Sequence, residues 1–342
     1  MYLFAHLRSS FQLRAARCAF KGSLKFFSLS FFRLAPMTSL YRYHMYGLVV
    51  ASEMVFPELT HANPDAIPDI FIRRGKVAVE GLPGGTRQGP FSYTATDPMQ
   101  FWLTVPDIAR YQVSEGREIL VDPWPEVDED SVRVFLLGSC MGALLMQRGL
   151  LVLHGNAIRI GDSCFVCVGP SGSGKSTLAA AFLKRGHDVL ADDVVAVNDN
   201  CEAIPGFGRL KIWQDAADRL DISTGGLRPI RPGVEKFDLP LRERFNSSPL
   251  PIKWIYILQS HKEQEFSLQK ISGMDRFLPL RDNTYRFRYL IGMDLKPSHL
   301  KLCGRLAGKI HLARLRRPEA LLKLDELVDV ILADVAAHPM SH

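Results

Sequence analysis

The nine residues Gly169 to Thr177, GPSGSGKST, restrict what this chain can fold into more than any other stretch. They satisfy every specified position of the G-x-x-x-x-G-K-[ST] pattern, which works only between a strand and a helix. Ser163 to Val168 (SCFVCV) supplies an apolar run suited to a buried strand. Thr177 to Arg185 (TLAAAFLKR) is made largely of good helix formers, stopped by Gly186. Glycines in such a loop let the backbone curl until successive N–H groups point inward at phosphate oxygens, and the following helix adds its positive end. The stretch therefore predicts an α/β fold in which Gly169, Pro170, Ser171, Gly172, Ser173, Gly174, Lys175, Ser176 and Thr177 hold a nucleoside triphosphate. Lys175 would reach the β- and γ-phosphates, and Ser176 would ligate Mg²⁺.

The flanks add chemistry. Leu151 to Ile160 (LVLHGNAIRI) and Ser163 to Val168 are strand-like runs separated by Gly161-Asp162, a two-residue turn that favours hairpins. Closing that hairpin pairs Ile160 with Ser163 and, at constant index sum, His154 with Gly169. An imidazole there would contact phosphate or a metal-bound group, or order a neighbouring carboxylate. Downstream, Asp188 to Val197 (DVLADDVVAV) is an apolar run interrupted by two acids. A ten-residue helix runs about 15 Å from the loop, and four or five strand residues return the same distance, which brings Asp192 and Asp193 level with Lys175. Adjacent strand residues face opposite sides, so one aspartate is expected to point at the substrates while the other supports it. Together these parts imply phosphoryl transfer from ATP, with an aspartate on Mg²⁺ and an aspartate accepting the proton of an attacking hydroxyl. A transport ATPase shares the loop but needs a more distant acidic strand and an LSGGQ-like segment, which is not found here.

RGLLVLHGNAI, GPSGSGKST and KRGHDVLADDVV (Lys184 to Val195) resemble the catalytic domain of the HPr kinase/phosphorylase family over residues 148 to about 215. The resemblance implies a P-loop catalytic domain like that of phosphoenolpyruvate carboxykinase, with ATP and Mg²⁺ as cofactors and a protein serine as acceptor. It makes His154 the counterpart of the family's active-site histidine. It assigns the Asp192-Asp193 pair to metal binding and base catalysis, with Asp193 favoured as the base and Lys175 as the catalytic cation. Two departures stand out: Thr177 occupies a position where the family usually has Glu, and AIPGFGRLKIWQDA (Ala203 to Ala216) replaces the later E-x-R-G-x-G-type signature. These features look more like the divergent members, some of which phosphorylate the C-terminal serine of lasso-peptide precursors. A nucleotide-binding regulatory protein without catalysis and a small-molecule kinase are the alternatives.

The chain around this site divides by composition. Residues 1–52 hold seven of the 42 basic residues and no acid, so the remaining 35 basic residues face 36 acidic ones. Such a near-neutral body offers no nucleic-acid surface, and no segment reads as a stable membrane insertion. Residues 1–36 are expected to be a basic extension, disordered or spurious, with the folded protein starting near Met37. Residues 37–122 alternate β-like runs (YGLVVAS, DIFIRR, KVAVE, FWLTV, ARYQV, EILVD) and predict a small β-rich domain. Residues 123–148 read as a linker and a buried helix over 131–148 lying under the second domain, with Asp130 a candidate cap. Residues 149–342 would form the kinase domain, closed by a helix over 319–337 that starts at Pro318. Cys164 and Cys167 lie in a predicted strand, pointing to opposite faces, so core packing suits them better than metal binding. The scattered cysteines fit a reducing cytoplasm, and a homo-oligomer stays open. Arg209, Lys211, Lys236, Arg286 and Arg288 are candidate cations for the transferring phosphoryl group, although each alone is more ordinarily a solvated surface or salt-bridge residue.

Overall fold

The computed structural model describes residues 40–79, 81, 85–87, 93–319 and 323–339, and the expected basic extension over 1–36 lies outside them. β1 (Tyr41–Met45) and β2 (Leu48–Ser52) form a hairpin about Tyr46 and Gly47, both at positive φ (52° and 70°), as a tight two-residue turn requires. β3 (Thr60–His61), β4 (Ile70–Arg74), β5 (Tyr93–Asp97), β6 (Gln100–Val105), β7 (Ala109–Ser114) and β8 (Glu118–Pro123) complete an eight-stranded sheet in the order β3-β1-β2-β4-β8-β7-β6-β5. Strict alternation along β7 buries Ala109, Tyr111 and Val113 on one face. The strand expected over KVAVE does not form across 76–79, because the Val77 N–H donates to the Asp122 carboxylate at 3.3 Å instead of to a neighbouring strand.

The single helix expected over 131–148 is α1 (Glu129–Phe135), one π-turn over Leu136–Cys140, and α2 (Met141–Gln147). Asp128, not Asp130, caps it, accepting the Ser131 N–H at 2.7 Å. Asp130 sits inside the first turn and pairs with Arg133 and Arg228. The helix does not serve the second sheet alone. Its Val132, Leu136, Met141 and Leu144 join the inner face of the first sheet in one apolar cluster that also takes in Val152, Val194 and Ala196. Its two glycines make room for Tyr285: a Cβ on Gly142 would stand 2.7 Å from the ring, and one on Gly138 would stand 3.1 Å from the hydroxyl.

The remaining chain runs β9 (Leu151–Ile160), β10 (Ser163–Val168), α3 (Lys175–Lys184), β11 (Val189–Val197) and β12 (Glu202–Ile204). A three-stranded sheet of β13 (Arg209–Trp213), β14 (Arg228–Pro229) and β15 (Lys236–Pro240) follows, with α4 (Gln214–Arg219) between its first two strands. Then come β16 (Leu250–His261), β17 (Ser267–Ile271), α5 (Phe277–Asp282), α6 (Arg288–Gly292), α7 (Lys296–Lys309), β18 (His311–Pro318) and α8 (Leu324–Ala337). The seven-stranded sheet has the order β10-β9-β11-β12-β16-β18-β17, with β10 also parallel to β16. Cys167 and Cys164 enter different apolar clusters on opposite faces of β10, and all five described cysteines are buried and free. Pro318 ends β18 rather than opening the last helix, since the Glu319 N–H still donates to the His261 carbonyl at 2.9 Å. The described residues belong to one compact unit, and no helix among them is long and apolar enough to cross a membrane.

Candidate functional site

The Gly161-Asp162 turn sets the register as expected: Ser163 pairs with Ile160, and the ladder ends at Val168 opposite Gly155. There β10 leaves the sheet as the glycine-rich loop. Gly169 (φ 148°) lies so close to β16 that a Cβ would stand 2.4 Å from the Leu258 carbonyl, and Gly172 (φ 80°) occupies the left-handed region. α3 starts at Lys175, two residues earlier than the propensities place it. The strand position that β10 vacates beside Leu153 and His154 is taken by Asn283 to Tyr285, through His154 N–H to Asn283 O at 2.8 Å and Tyr285 N–H to Val152 O at 2.9 Å. A cavity of about 750 Å³ opens between this segment and the loop, lined by His154, Gly169, Pro170, Ser171 and Asp193, with Arg286 and Arg314 across it.

Lys175 is 8% exposed, and its ammonium donates to the carbonyls of Gly169 (2.8 Å) and Pro170 (3.0 Å). Burial lowers its pKa. The Ser176 hydroxyl donates to Asp192 Oδ1 at 3.2 Å, so the helix start and the returning strand meet as the residue count predicts. Thr177 is half-buried on the same first turn, Ser173 is buried, and Ser171 and Gly172 are exposed at the loop tip.

The two aspartates do not divide cleanly between opposite faces. Asp193 sits at φ 71°, the left-handed region, which interrupts the strand's alternation. Both carboxylates consequently meet Lys211 of β13: Asp192 Oδ2 accepts its backbone N–H at 2.9 Å, and Asp193 Oδ2 accepts its ammonium at 2.8 Å. Burial and the neighbouring Asp193 charge push Asp192 up. Burial pushes Asp193 up too, but Lys211 and His154 overcome it and hold that carboxyl well below the usual range. His154 Nδ1 lies 3.3 Å from Asp193 Oδ1 and 3.1 Å from its backbone carbonyl, the third of the roles open to it in the sequence, and burial lowers its pKa.

Of the candidate cations, Lys211 and Lys236 face the aspartates, and burial followed by repulsion from Lys211 lowers the pKa of Lys236. Arg286 reaches the cavity, Arg288 is exposed on α6, and Arg209 is committed to Asp238, both of whose carboxylate oxygens accept from its Nη1 at 2.8 Å. Two residues escaped the sequence reading. Asn156, fully buried, donates to the Lys175 carbonyl at 2.6 Å and ties β9 to the start of α3; a polar residue inside an apolar strand was its signal. Arg317 Nε donates to the Ser173 carbonyl at 3.1 Å from a strand 144 residues away, and nothing local announces it.

No family model matches this chain, and no curated protein matches it. Among solved structures, the Hpr(Ser) kinase/phosphatase from Coxiella burnetii is similar at 14% identity over 54% of this chain and 96% of that one, with a TM-score of 0.29, too low to equate the two folds.

Proposed function

We propose that this chain is an ATP-dependent, Mg²⁺-requiring kinase that phosphorylates a serine hydroxyl on a protein or peptide, a divergent relative of the HPr kinases. The observation that carries this reading is the meeting of Ser176 with Asp192 and of His154 and Lys211 with Asp193 beside one cavity at the loop mouth. The resemblance of Arg148 to Ile158 and Lys184 to Val195 to that family supports the same reading. The residues fit the cofactors: a hydroxyl and a carboxylate oxygen 3.2 Å apart are hard donors of the kind Mg²⁺ takes, and Gly172 and Gly174 at positive φ give the loop the curl that turns backbone N–H groups toward phosphate.

Bound Mg²⁺ would neutralise charge across the β- and γ-phosphate oxygens. Lys175 would exchange the carbonyls of Gly169 and Pro170 for phosphate oxygens, and Ser176 and Asp192 would hold the metal. The acceptor serine oxygen bonds to the γ-phosphorus as the bond from that phosphorus to its bridging oxygen breaks, leaving ADP. Asp193 takes the hydroxyl proton, while Lys211 and His154 hold its carboxylate in place. A loose transition state releases that proton late, so a weakly basic carboxylate suffices. A near-neutral surface and the cysteine pattern go with a cytoplasmic protein that takes no nucleic acid.

The test is incubation of the whole protein with γ-labelled ATP, Mg²⁺ and a panel of serine-bearing peptides and HPr-like proteins. Label on a serine is expected. If wild type labels none of them while Lys175→Ala abolishes nucleotide binding, the chain is a nucleotide-binding regulator instead.

A further inference from the structure

A second constellation lies at the other end of the same sheet. β10, β16 and β18 run parallel, and the glycine-rich loop leaves the C-terminal end of β10. His311 opens β18 at the opposite end, level with Trp254 of β16. Asp334 and His338, four residues apart at the end of α8, present both side chains on the helix face that meets His311. Asp334 Oδ2 is 3.0 Å from His311 Nε2, and Asp334 Oδ1 is 3.1 Å from His338 Nδ1. One ligand atom from each of the three residues falls within 4.8 Å of the other two.

The geometry at His311 is the informative part. Its Nε2 is buried, and its polar neighbour is the Asp334 carboxylate oxygen 3.0 Å away. Two imidazole nitrogens thus face the two oxygens of one buried carboxylate, a set that a common cation would hold together. Supporting bonds fix the set: the Tyr256 hydroxyl donates to Asp334 Oδ2 at 2.8 Å, and the Trp254 indole N–H donates to the His338 carbonyl at 3.1 Å. His311 and Asp334 are buried, while the His338 side chain is 36% exposed and gives a route from solvent.

We propose that His311, Asp334 and His338 bind a divalent cation of the Zn²⁺ type that fastens α8 to the N-terminal ends of β16 and β18. Two imidazoles and one carboxylate suit Zn²⁺, with water as the fourth ligand, and they suit neither Mg²⁺ nor Ca²⁺, which take oxygen ligands. The His338 imidazole turns from the Asp334 backbone carbonyl, 3.0 Å from its Nδ1, to the metal. The site stands apart from the loop, so its cation stabilises and takes no part in phosphoryl transfer.

The test is calorimetric titration of the chelator-treated full chain with ZnCl₂, using an Asp192→Asn/Asp193→Asn background to remove the loop carboxylates as competing ligands. One equivalent should bind in that background, raise Tm, and give four-coordinate visible absorption when Co²⁺ replaces Zn²⁺. His338→Ala, at a partly exposed position, should keep its circular dichroism and lose at least about tenfold in affinity, the smallest loss that even outer-shell changes produce. Unchanged Zn²⁺ affinity in His338→Ala, or binding that vanishes with the two loop aspartates, overturns the proposal whatever becomes of the kinase reading.

Discussion

Two buried ion clusters of similar size are put to opposite uses. Around Glu58, Arg133 pairs at 3.1 Å with both side chains under 10% exposed, and Arg209 grips Asp238 through two 2.8 Å bonds. Around Asp193, the cations are Lys211, Lys236 and Lys175. A guanidinium is never neutral and its planar fork fits one carboxylate in one way, so the first cluster holds elements in place. An ammonium is a mobile point charge whose proton affinity falls on burial, as it does for Lys175 and Lys236. Of this second cluster Asp193 lines the cavity at the loop mouth, and Glu58, Arg209 and Asp238 of the first line a smaller cavity of about 430 Å³. Charge burial alone does not mark a site. Nor does an adjoining opening, which both clusters have; the choice of cation is what separates them.

The sharpest break of that contrast is Asp193→Asn. It should cut phosphoryl transfer by about 10³-fold, within the range for losing a general base, while ATP affinity changes little; unchanged turnover would remove Asp193 from catalysis and leave the lysine cluster structural. Next comes Arg133→Met, which removes the nearest of the three guanidinium partners of the buried Glu58 carboxylate and leaves Arg228 and Arg209 at 3.8 and 3.9 Å. Urea unfolding should show a loss of about 3 kcal/mol, the low end for breaking a buried pair, with kcat of the folded fraction preserved. A loss of kcat without loss of stability would reverse the roles of the two clusters. The smallest effect concerns a neutral neighbour. His299, 5% exposed and bonded to Thr284 at 2.7 Å, has its pKa lowered to about 4 by burial and Arg281. Its depressed value favours the neutral ring in the fold, so its contribution is complete above pH 6.5, declines as pH falls, and is gone below pH 4. The loss is up to about 3 kcal/mol, and it should be missing from the difference curve of His299→Gln; equal acid sensitivity in both proteins would refute it.

What was legible in the sequence is what local rules govern. A two-residue turn fixes index sums, so the β9–β10 register and the place of His154 followed from Gly161-Asp162. Helix and strand rises return the chain to its starting level, so the meeting of Ser176 and Asp192 could be counted out. Alternation failed at Asp193, because its positive φ is imposed by surroundings that no period encodes. Lys211 was only one cation among five until the three-stranded sheet turned β13 against the aspartates. KVAVE and Pro318 misled for a shared reason: each carries a local propensity that a distant partner, Asp122 or His261, outbids for its hydrogen bonds.

The two glycines beneath Tyr285 bear on whether the halves of this chain can be separated. Tyr285 belongs to the segment walling the cavity, yet its ring is seated against Gly138 and Gly142 of a helix that packs on the first sheet. A fragment cut between Gln147 and Leu151 would keep every residue assigned to chemistry and lose the seat of that wall. The half that carries the glycine-rich loop is therefore not a transplantable module, and fusion partners, deletions and domain exchanges should respect the whole unit from β1 onward.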